Sequence, residues 1–389
     1  MSERKKIIIA VIITFLLTAL VTFWGASLLM GFDLSKSSIV ESIIKSEYIK
    51  EVDSEKIDEY MAKGAAAALG DDYSYYLTSE EYNALMSEIT GEYKGIGVEV
   101  YLSAEGNLTV SNVFMNTPAE KSGLRPGDII AQVDDIKVTS ETAADAISYM
   151  RGLSEEGKKA ETMTVVVMRG ESSFNADITR AEIIAQTIFA KDIDGIRYMR
   201  ISSFSPPTYK EFVTSLKDIE NCKGLILDVR DNPGGILETV VDMCDALLPK
   251  ANIVSTKTRS GKEKFYKSDK NFIDIPIAVL INGGSASASE ILAGAIKDNN
   301  AGVLIGEKSF GKGSVQEIFP FRDKSALKLT IAYYYTPSGV CINDIGIEPD
   351  YEVLLPDDNA TGPVSTLSPE NDPQLMKAIE LISSGKITR

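Results

Sequence analysis

The sequence contains no histidine among its 389 residues. This absence excludes the Ser-His-Asp and Cys-His arrangements within one chain, because imidazole is the base in both. It also removes the imidazole nitrogens that many metal sites use as ligands. Any nucleophilic serine or cysteine in this chain must therefore lose its proton to a different base.

Cysteine and positive charge are also scarce. The three cysteines, Cys222, Cys244 and Cys341, are too few and too scattered for a disulfide framework or a zinc site. The formal net charge of −16 and the pI of about 4.7 argue against a nucleic-acid partner. The apolar share of 44% and the charged share of 25% are ordinary for a globular protein, and the length allows two or three domains.

A long apolar run occupies residues 7–30, directly after three basic residues at positions 4–6. As a helix it would be about 36 Å long, at about 1.5 Å per residue, which is enough to span a bilayer with some tilt. The basic flank predicts that residues 1–6 lie in the cytoplasm and that the body lies on the extracytoplasmic side of the cell membrane. The alternative is a signal peptide cleaved near residues 25–27.

Residues 33–90 are expected to be helical, because apolar side chains recur there at intervals of three and four residues. The stripe consists of Ile39, Ile43, Ile44 and Tyr48. Such a stripe packs either on the body of the same chain or against a second copy. We expect a homodimer formed through the helices of this region, either alone or together with the C-terminal helix.

Short strands and turns replace helices over residues 92–180, which predicts a β-rich domain. Two stretches in it, Lys94-Gly-Ile-Gly-Val98 and Ser122-Gly-Leu-Arg-Pro-Gly-Asp-Ile-Ile130, resemble a PDZ domain. The resemblance implies that the loop of Gly95, Ile96, Gly97 and Val98 binds a peptide. Its backbone N–H groups would receive a C-terminal carboxylate while the next strand pairs with the peptide chain.

From residue 181 to 355, short apolar runs alternate with helical patterns, which predicts parallel strands in a layered α/β core. The expected strands are 224–230, 275–282, 302–306 and 327–336, and the main helices are 236–248 and 289–298. Residues 356–389 are expected to form a tail with a short final helix.

Lysine is the obvious base for a serine in a chain without histidine. Its pKa of about 10.4 is too high, but burial in an apolar pocket can lower the pKa by several units. One lysine stands on a suitable turn, because Lys312 is flanked by Gly311 and Gly313. The candidate serines lie in GGSASASEILAGAI, residues 283–296, where a turn precedes an apolar helical run.

Three motifs together resemble the carboxyl-terminal processing, or tail-specific, serine proteases. They are DVRDNPGG (228–235), GSASASE (284–290) and FGKGSVQ (310–316), within a resemblance that extends roughly from residue 35 to residue 350. It implies that Ser287 is the nucleophile, Lys312 its base and Gln316 the support of the lysine. It also implies a crotonase/ClpP-like α/β protease core with an inserted PDZ domain.

The resemblance further implies an oxyanion hole. The N–H of Ala288 would be one donor, and the other would come from Gly234 or Gly235, between which the sequence does not decide. We expect Ser289 to cap the helix and Glu290 to lie in its first turn, where a negative charge suits the helix dipole. No metal and no organic cofactor are implied.

These expectations describe a membrane-anchored serine endopeptidase that cleaves proteins recognised through free, apolar C-termini. The rival hypothesis is a binding scaffold whose core is inactive. In a third version the PDZ domain is a gate, moved by a bound C-terminus or a regulatory protein partner. The process it serves stays open, since both signal transduction and envelope quality control fit.

Overall fold

The computed structural model describes residue 9 and residues 11–22, 35–153, 161–356 and 363–387. The predicted cytoplasmic residues 1–6 and much of the predicted span 7–30 lie outside the described residues, and the described part 11–22 is helical. Among the described residues, none of the helices combines the length and the apolar character that a bilayer crossing requires. The chain divides into two compact units, residues 1–76 and 77–389.

The first unit contains two amphipathic helices. Helix α1 spans Lys36–Glu47 and helix α2 spans Ser54–Ala67, and each begins at a side-chain cap, Ser35 and Asp53 respectively. The predicted stripe lies on α1 and just after it, where its four side chains are 36–57% exposed. This helix therefore presents an apolar face in the single chain.

A short strand crosses the boundary between the two units in the sequence, and a capped helix follows it. Strand β1 spans Tyr75–Leu77, and helix α3 spans Ser79–Thr90 with a reciprocal cap between Thr78 and Glu81. Strands β2 (Glu92–Gly95) and β9 (Ala181–Ile184) pair antiparallel, with Glu92 opposite Ile184. The chain thus enters and leaves the β-rich domain through one two-stranded ribbon.

The β-rich domain forms a separate sheet with its own apolar core. Its strands are β3 (Val98–Leu102), β4 (Leu108–Val113), β5 (Ile129–Val133), β6 (Ile136–Lys137), β7 (Thr162–Arg169) and β8 (Ser172–Thr179), and its helices are α4 (Pro118–Lys121) and α5 (Ala143–Met150). The order is β3-β4-β5-β7-β8, with β6 on β5. Strand β3 therefore lies at the edge of the described sheet.

The α/β core is built on a six-stranded sheet in the order β10-β11-β12-β15-β16-β19. Its strands are β10 (Ile188–Ile193), β11 (Ile196–Ile201), β12 (Leu225–Asp228), β15 (Ile277–Ile281), β16 (Val303–Gly306) and β19 (Tyr351–Glu352). All neighbours pair parallel except β10 and β11. The prediction of parallel strands is confirmed for β12, β15 and β16.

Helices cover both faces of this sheet, which is why its strands are apolar without alternation. Helices α6 (Thr208–Ser215), α7 (Leu237–Leu247) and α8 (Ala288–Asp298) share one core with Leu225 and Leu227. Helix α9 (Pro373–Ser383) packs with Ile226 on the opposite face. Three short 3-10 helices complete the described elements, at Ile219–Asn221, Val364–Thr366 and Pro369–Asn371.

A second, antiparallel sheet contributes to the same core as α7 and α8. It contains β13 (Asn252–Thr258), β14 (Glu263–Lys267), β17 (Ser314–Pro320) and β18 (Ala326–Tyr335). The expectation that the strand at 327–336 joins the parallel sheet is therefore wrong. Only five residues, 321–325, separate β17 from β18, and so short a connection joins antiparallel strands.

Arg230 ties the end of β12 to the C-terminal helix. Its guanidinium donates to Asp228 at 2.6 Å and 2.9 Å and to Asp372, the N-cap of α9, at 2.7 Å and 2.9 Å. Burial alone would raise the pKa of Asp228, but the ion pair with Arg230 outweighs it and lowers that pKa. Through Arg230, the ion pair at the end of β12 therefore also anchors the C-terminal segment.

Candidate active site

Three turns meet at one edge of the parallel sheet. They follow β12, β15 and β16, which are neighbours in the sheet, and the carboxyl ends of parallel strands share an edge. The turns are 229–236, 282–287 and 307–313. They carry the three motifs singled out in the sequence, although residues 236–283 separate the first motif from the second and residues 291–309 separate the second from the third.

Ser287 lies in the middle turn, at the N-cap of α8, in a strained backbone conformation. Its φ of 54° and ψ of −113° fall where non-glycine residues are rare. Ala288 is the first helical residue, so its N–H is one of the groups without a partner inside the helix. Negative charge that develops beside Ser287 would therefore face the positive end of the helix dipole.

The serines on either side of Ser287 have structural contacts. Ser285 donates from Oγ to the carbonyl of Val229 at 2.7 Å, and Ser289 donates to the carbonyl of Asn232 at 2.9 Å. Both hydroxyls are fully buried. The expectation that Ser289 caps the helix is wrong, because α8 already begins at Ala288 and the cap position belongs to Ser287.

The 229–236 turn lies directly against Ser287. Gly234 has φ 108°, and a side chain there would approach the Ala286 oxygen to 2.7 Å and the Ser287 Cβ to 2.8 Å. Its N–H donates to Oδ1 of the buried Asn232 at 2.9 Å. Gly235 packs on a different neighbour, the backbone of Phe204. Of the two glycines, Gly234 is therefore the one in contact with the serine turn.

Lys312 lies in the third turn and is about half buried. Gly311 before it has φ 95° and packs on the backbone at Gly346, where a Cβ would come within 2.9 Å of the Gly346 nitrogen. Burial, and then the positive charge of Lys328, lower the pKa of Lys312, while Glu290 acts in the opposite direction.

Gln316 lies on β17, the strand that directly follows the lysine turn. Its Nε2 donates to Ser314 Oγ at 2.8 Å and to Thr330 Oγ1 on β18 at 3.2 Å. With the amide nitrogen directed to these hydroxyls, its Oε1 is the acceptor atom on the same side chain. An acceptor without charge can bind a lysine amine and leave it neutral.

Glu290 connects the serine and lysine turns, which the sequence reasoning did not anticipate. The residue is fully buried, and its carboxylate accepts from the backbone N–H groups of Ser287 and Lys312, each at 2.9 Å. The sequence does carry a signal for half of this role. Ser287 followed three residues later by Glu290 is the spacing of a capping box at a helix start.

The predicted peptide loop joins β2 to β3. Gly95 ends β2 and Val98 begins β3, the edge strand. The Ile96 side chain is buried in the core of the β-rich domain, so a contribution of Ile96 to peptide binding would come from its backbone. In the part of the chain that the structure describes, no group of three or more Cys, Asp or Glu side chains is arranged to hold a metal ion.

Comparison with known proteins yields two family matches and a consistent set of relatives. Residues 195–353 match peptidase family S41, and residues 94–179 match the PDZ domain. The carboxy-terminal-processing protease of Bartonella bacilliformis is 36% identical over 324 residues, which is 80% of this chain and 73% of that protein. The carboxy-terminal processing protease CtpB of Bacillus subtilis is 33% identical, over 84% of this chain and 69% of the relative.

A solved structure gives the same picture. The photosystem II D1 C-terminal processing protease superposes with a TM-score of 0.51 at 27% identity, covering 82% of this chain and 88% of its own. The similarity thus includes both the β-rich domain and the α/β core.

Proposed function

Because the chain belongs to the carboxy-terminal processing proteases of peptidase family S41, we propose that Ser287 is its nucleophile and Lys312 its general base. The observation that carries the proposal is the convergence of the Ser287 and Lys312 backbone N–H groups on one carboxylate oxygen, Oε2 of Glu290. Two residues whose backbone N–H groups bond the same oxygen lie on neighbouring turns, which is the arrangement that proton transfer between their side chains requires.

The reaction follows from these two side chains. Neutral Lys312 Nζ takes the hydroxyl proton as Ser287 Oγ attacks the scissile carbonyl, and the ammonium then gives that proton to the leaving amine. The C–N bond breaks, leaving an ester on Ser287. In the second half a water molecule loses a proton to Lys312 and attacks the ester, and Ser287 recovers its proton from the ammonium.

Two backbone donors would stabilise the oxyanion of the tetrahedral intermediates. We assign one to Ala288 N–H, at the start of α8, and the other to the Gly234-Gly235 turn. A donor of this kind typically contributes about 3–4 kcal/mol to transition-state stabilisation. If Gly234 is the second donor, its N–H must leave the hydrogen bond to Asn232 Oδ1 and donate to the oxyanion instead.

The PDZ domain is proposed to select the substrate by its C-terminus. Support comes from the position of the Gly95–Val98 loop, which leads directly into the edge strand β3. An extended peptide can add to such an edge as a further strand. Its terminal carboxylate can then accept hydrogen bonds from the backbone N–H groups of the loop. By the family resemblance the peptide end is apolar, and the substrates are unfolded proteins or protein tails.

A substrate whose C-terminus is amidated should be cleaved about tenfold or more less efficiently than the same substrate with a free carboxylate. The reason is the loss of charge-assisted hydrogen bonds from the loop, which are stronger than neutral ones. The measurement is kcat/KM for a matched pair of unfolded substrates that differ only at this terminus. Equal values for the pair would contradict recognition through the C-terminus.

We also propose that the PDZ domain acts as a gate under the control of a peptide or a partner protein. Glu99 on β3 bonds Arg200 on β11 at 2.9 Å, and the Arg200 guanidinium lies 4.5 Å from the centre of the Phe189 ring. This contact holds the peptide-binding strand to the core. Deleting residues 96–180 distinguishes the roles, because loss of a gate raises the activity of the core and loss of a tether lowers it.

Membrane anchoring, an extracytoplasmic body and a homodimer complete the proposal. The apolar run 7–30 with its basic flank supports the anchor, and the exposed stripe of α1 supports pairing of two chains. Cell fractionation and sedimentation of the purified protein in detergent test these points. Recovery in the soluble fraction would refute a retained anchor, and a monomer at high concentration would refute the dimer.

A further inference from the structure

Glu290 is an unusual group to find at this depth. It is fully buried, and a buried carboxylate is costly unless its oxygens are hydrogen-bonded. Oε1 accepts from Ser309 Oγ at 2.6 Å and from Gly311 N–H at 2.8 Å. Oε2 accepts from Ser287 N–H and Lys312 N–H, each at 2.9 Å. One donor therefore comes from the serine turn, and three come from the lysine turn.

Tyr334 on β18 joins the same two residues through their carbonyl groups. Its hydroxyl lies 3.2 Å from the Ser287 oxygen and also contacts the Lys312 oxygen. The side chain is 2% exposed. Burial, and then the charge of Glu290, raise the pKa of Tyr334 well above its ordinary value, so the hydroxyl stays a donor. Glu290 thus connects the N–H groups of Ser287 and Lys312, and Tyr334 connects their carbonyls.

We propose that Glu290, together with Tyr334, is a positioning residue that sets the spacing between the nucleophile and the base. This inference rests on the proposed roles of Ser287 and Lys312 and adds the residues that hold them. Ser287 occupies a strained conformation, which persists only where its surroundings fix it. The hydrogen bond from Ser287 N–H to Glu290 directly opposes relaxation of that backbone.

The negative charge is needed for this role. The four groups named above that bond the carboxylate are N–H or O–H donors, so each of these contacts requires an acceptor. A glutamine of the same shape has one acceptor oxygen and one NH₂ group, which would face two of the donors. In Glu290→Gln both turns should loosen together, although the shape of the side chain is preserved.

The charge has a second, separable effect on the base. The charged and titratable groups that face Lys312 are Glu290 on α8 and Lys328 and Tyr334 on β18, and Tyr334 is neutral. Glu290 raises the pKa of Lys312. Removing that charge lowers the pKa, so the lysine becomes neutral at a lower pH. The acid limb of the pH–rate profile should then move to lower pH in Glu290→Gln, which loss of structure alone would not produce.

The experiment compares the full-length wild type with Glu290→Gln and with Glu317→Gln, the same substitution at an exposed position on β17. Amide hydrogen exchange is followed in peptides covering 284–290 and 307–316, with peptides from β15 and β16 as a reference for global folding. We expect exchange about tenfold or more faster in both turns of Glu290→Gln only. Its kcat should fall about 100-fold with little change in KM, because a small misplacement of reacting groups has effects of this size.

Tyr334→Phe serves as the second variant, for the case that Glu290→Gln fails to fold. It should also speed exchange in both turns and lower kcat, without moving the acid limb, since no charge is removed. Unchanged exchange in both turns of a folded Glu290→Gln protein, or of Tyr334→Phe if the former does not fold, would overturn the inference. Activity that survives Ser287→Ala would instead refute the proposed nucleophile, while the exchange data would still decide whether Glu290 holds the two turns together.

Discussion

Replacing Ser287 with alanine is expected to abolish peptide-bond cleavage, with a loss in kcat on the order of 10⁴- to 10⁶-fold. The variant keeps the fold of the turn but has no oxygen to form the acyl-enzyme. The measurement follows cleavage of an unfolded protein with an apolar C-terminus by mass spectrometry. A fluorophosphonate probe should label the wild type and leave Ser287→Ala unlabelled.

Ser289→Ala is the matched control for this variant. It makes the same chemical change two residues away, at a buried hydroxyl that donates to the Asn232 carbonyl of the 229–236 turn. We expect its activity to stay within about tenfold of the wild type, since its loss is that of one ordinary hydrogen bond. Cleavage by Ser287→Ala at a rate near that of the wild type would exclude Ser287 as the nucleophile.

Lys312→Arg should be as inactive as Lys312→Ala. Arginine keeps the positive charge and the length of the side chain, but its guanidinium does not lose a proton in a protein. The result would distinguish two roles of Lys312, that of a general base and that of a fixed positive charge, because arginine can fill only the second role. Lys308→Arg, at an exposed lysine of the same turn that pairs with Glu348, is the control and should leave cleavage unchanged.

The pH profile gives an independent test of the same residue. A lysine base works in its neutral form, so activity should fall as the pH drops through the pKa of Lys312. Since burial and then Lys328 lower that pKa, the fall should lie below the ordinary lysine value of about 10.4. Lys328→Gln removes one of these causes and should move the acid limb to higher pH. Substantial activity in Lys312→Arg, or an acid limb that Lys328→Gln does not move, would refute this assignment.

Many helices and strands could be predicted from local sequence patterns, and individual elements show why. The helices predicted at 236–248 and 289–298 are present as Leu237–Leu247 and Ala288–Asp298, because their apolar faces pack on the sheet. The strands at 224–230 and 275–282 were recognisable because both of their faces are buried and their sequences are apolar throughout. The strand at 326–335 was assigned to the wrong sheet. Its pairing with β17 is set by the short turn between them, and the apolar pattern contains no information on that turn.

By itself, the sequence determined which residue types were available for chemistry. Without histidine, a nucleophilic serine had to be paired with another base. The glycines on both sides of Lys312 distinguished this lysine from the other lysines of the chain. The family motifs then narrowed the nucleophile to Ser287. Local spacing also contained the Ser287–Glu290 capping pair, since three residues along a helix start bring a side chain back to the cap.

Only the tertiary structure decided what lies between the two turns. The serine and lysine turns follow different strands, and the parallel pairing of β15 with β16 brings their ends to one edge of the sheet. Burial at that edge lowers the pKa of Lys312 and makes the Glu290 carboxylate depend on all its donors. Tyr334 reaches the site from the antiparallel sheet. Such contacts depend on how segments distant in the sequence pack against one another, and this packing cannot be predicted from the order of residue types along the chain.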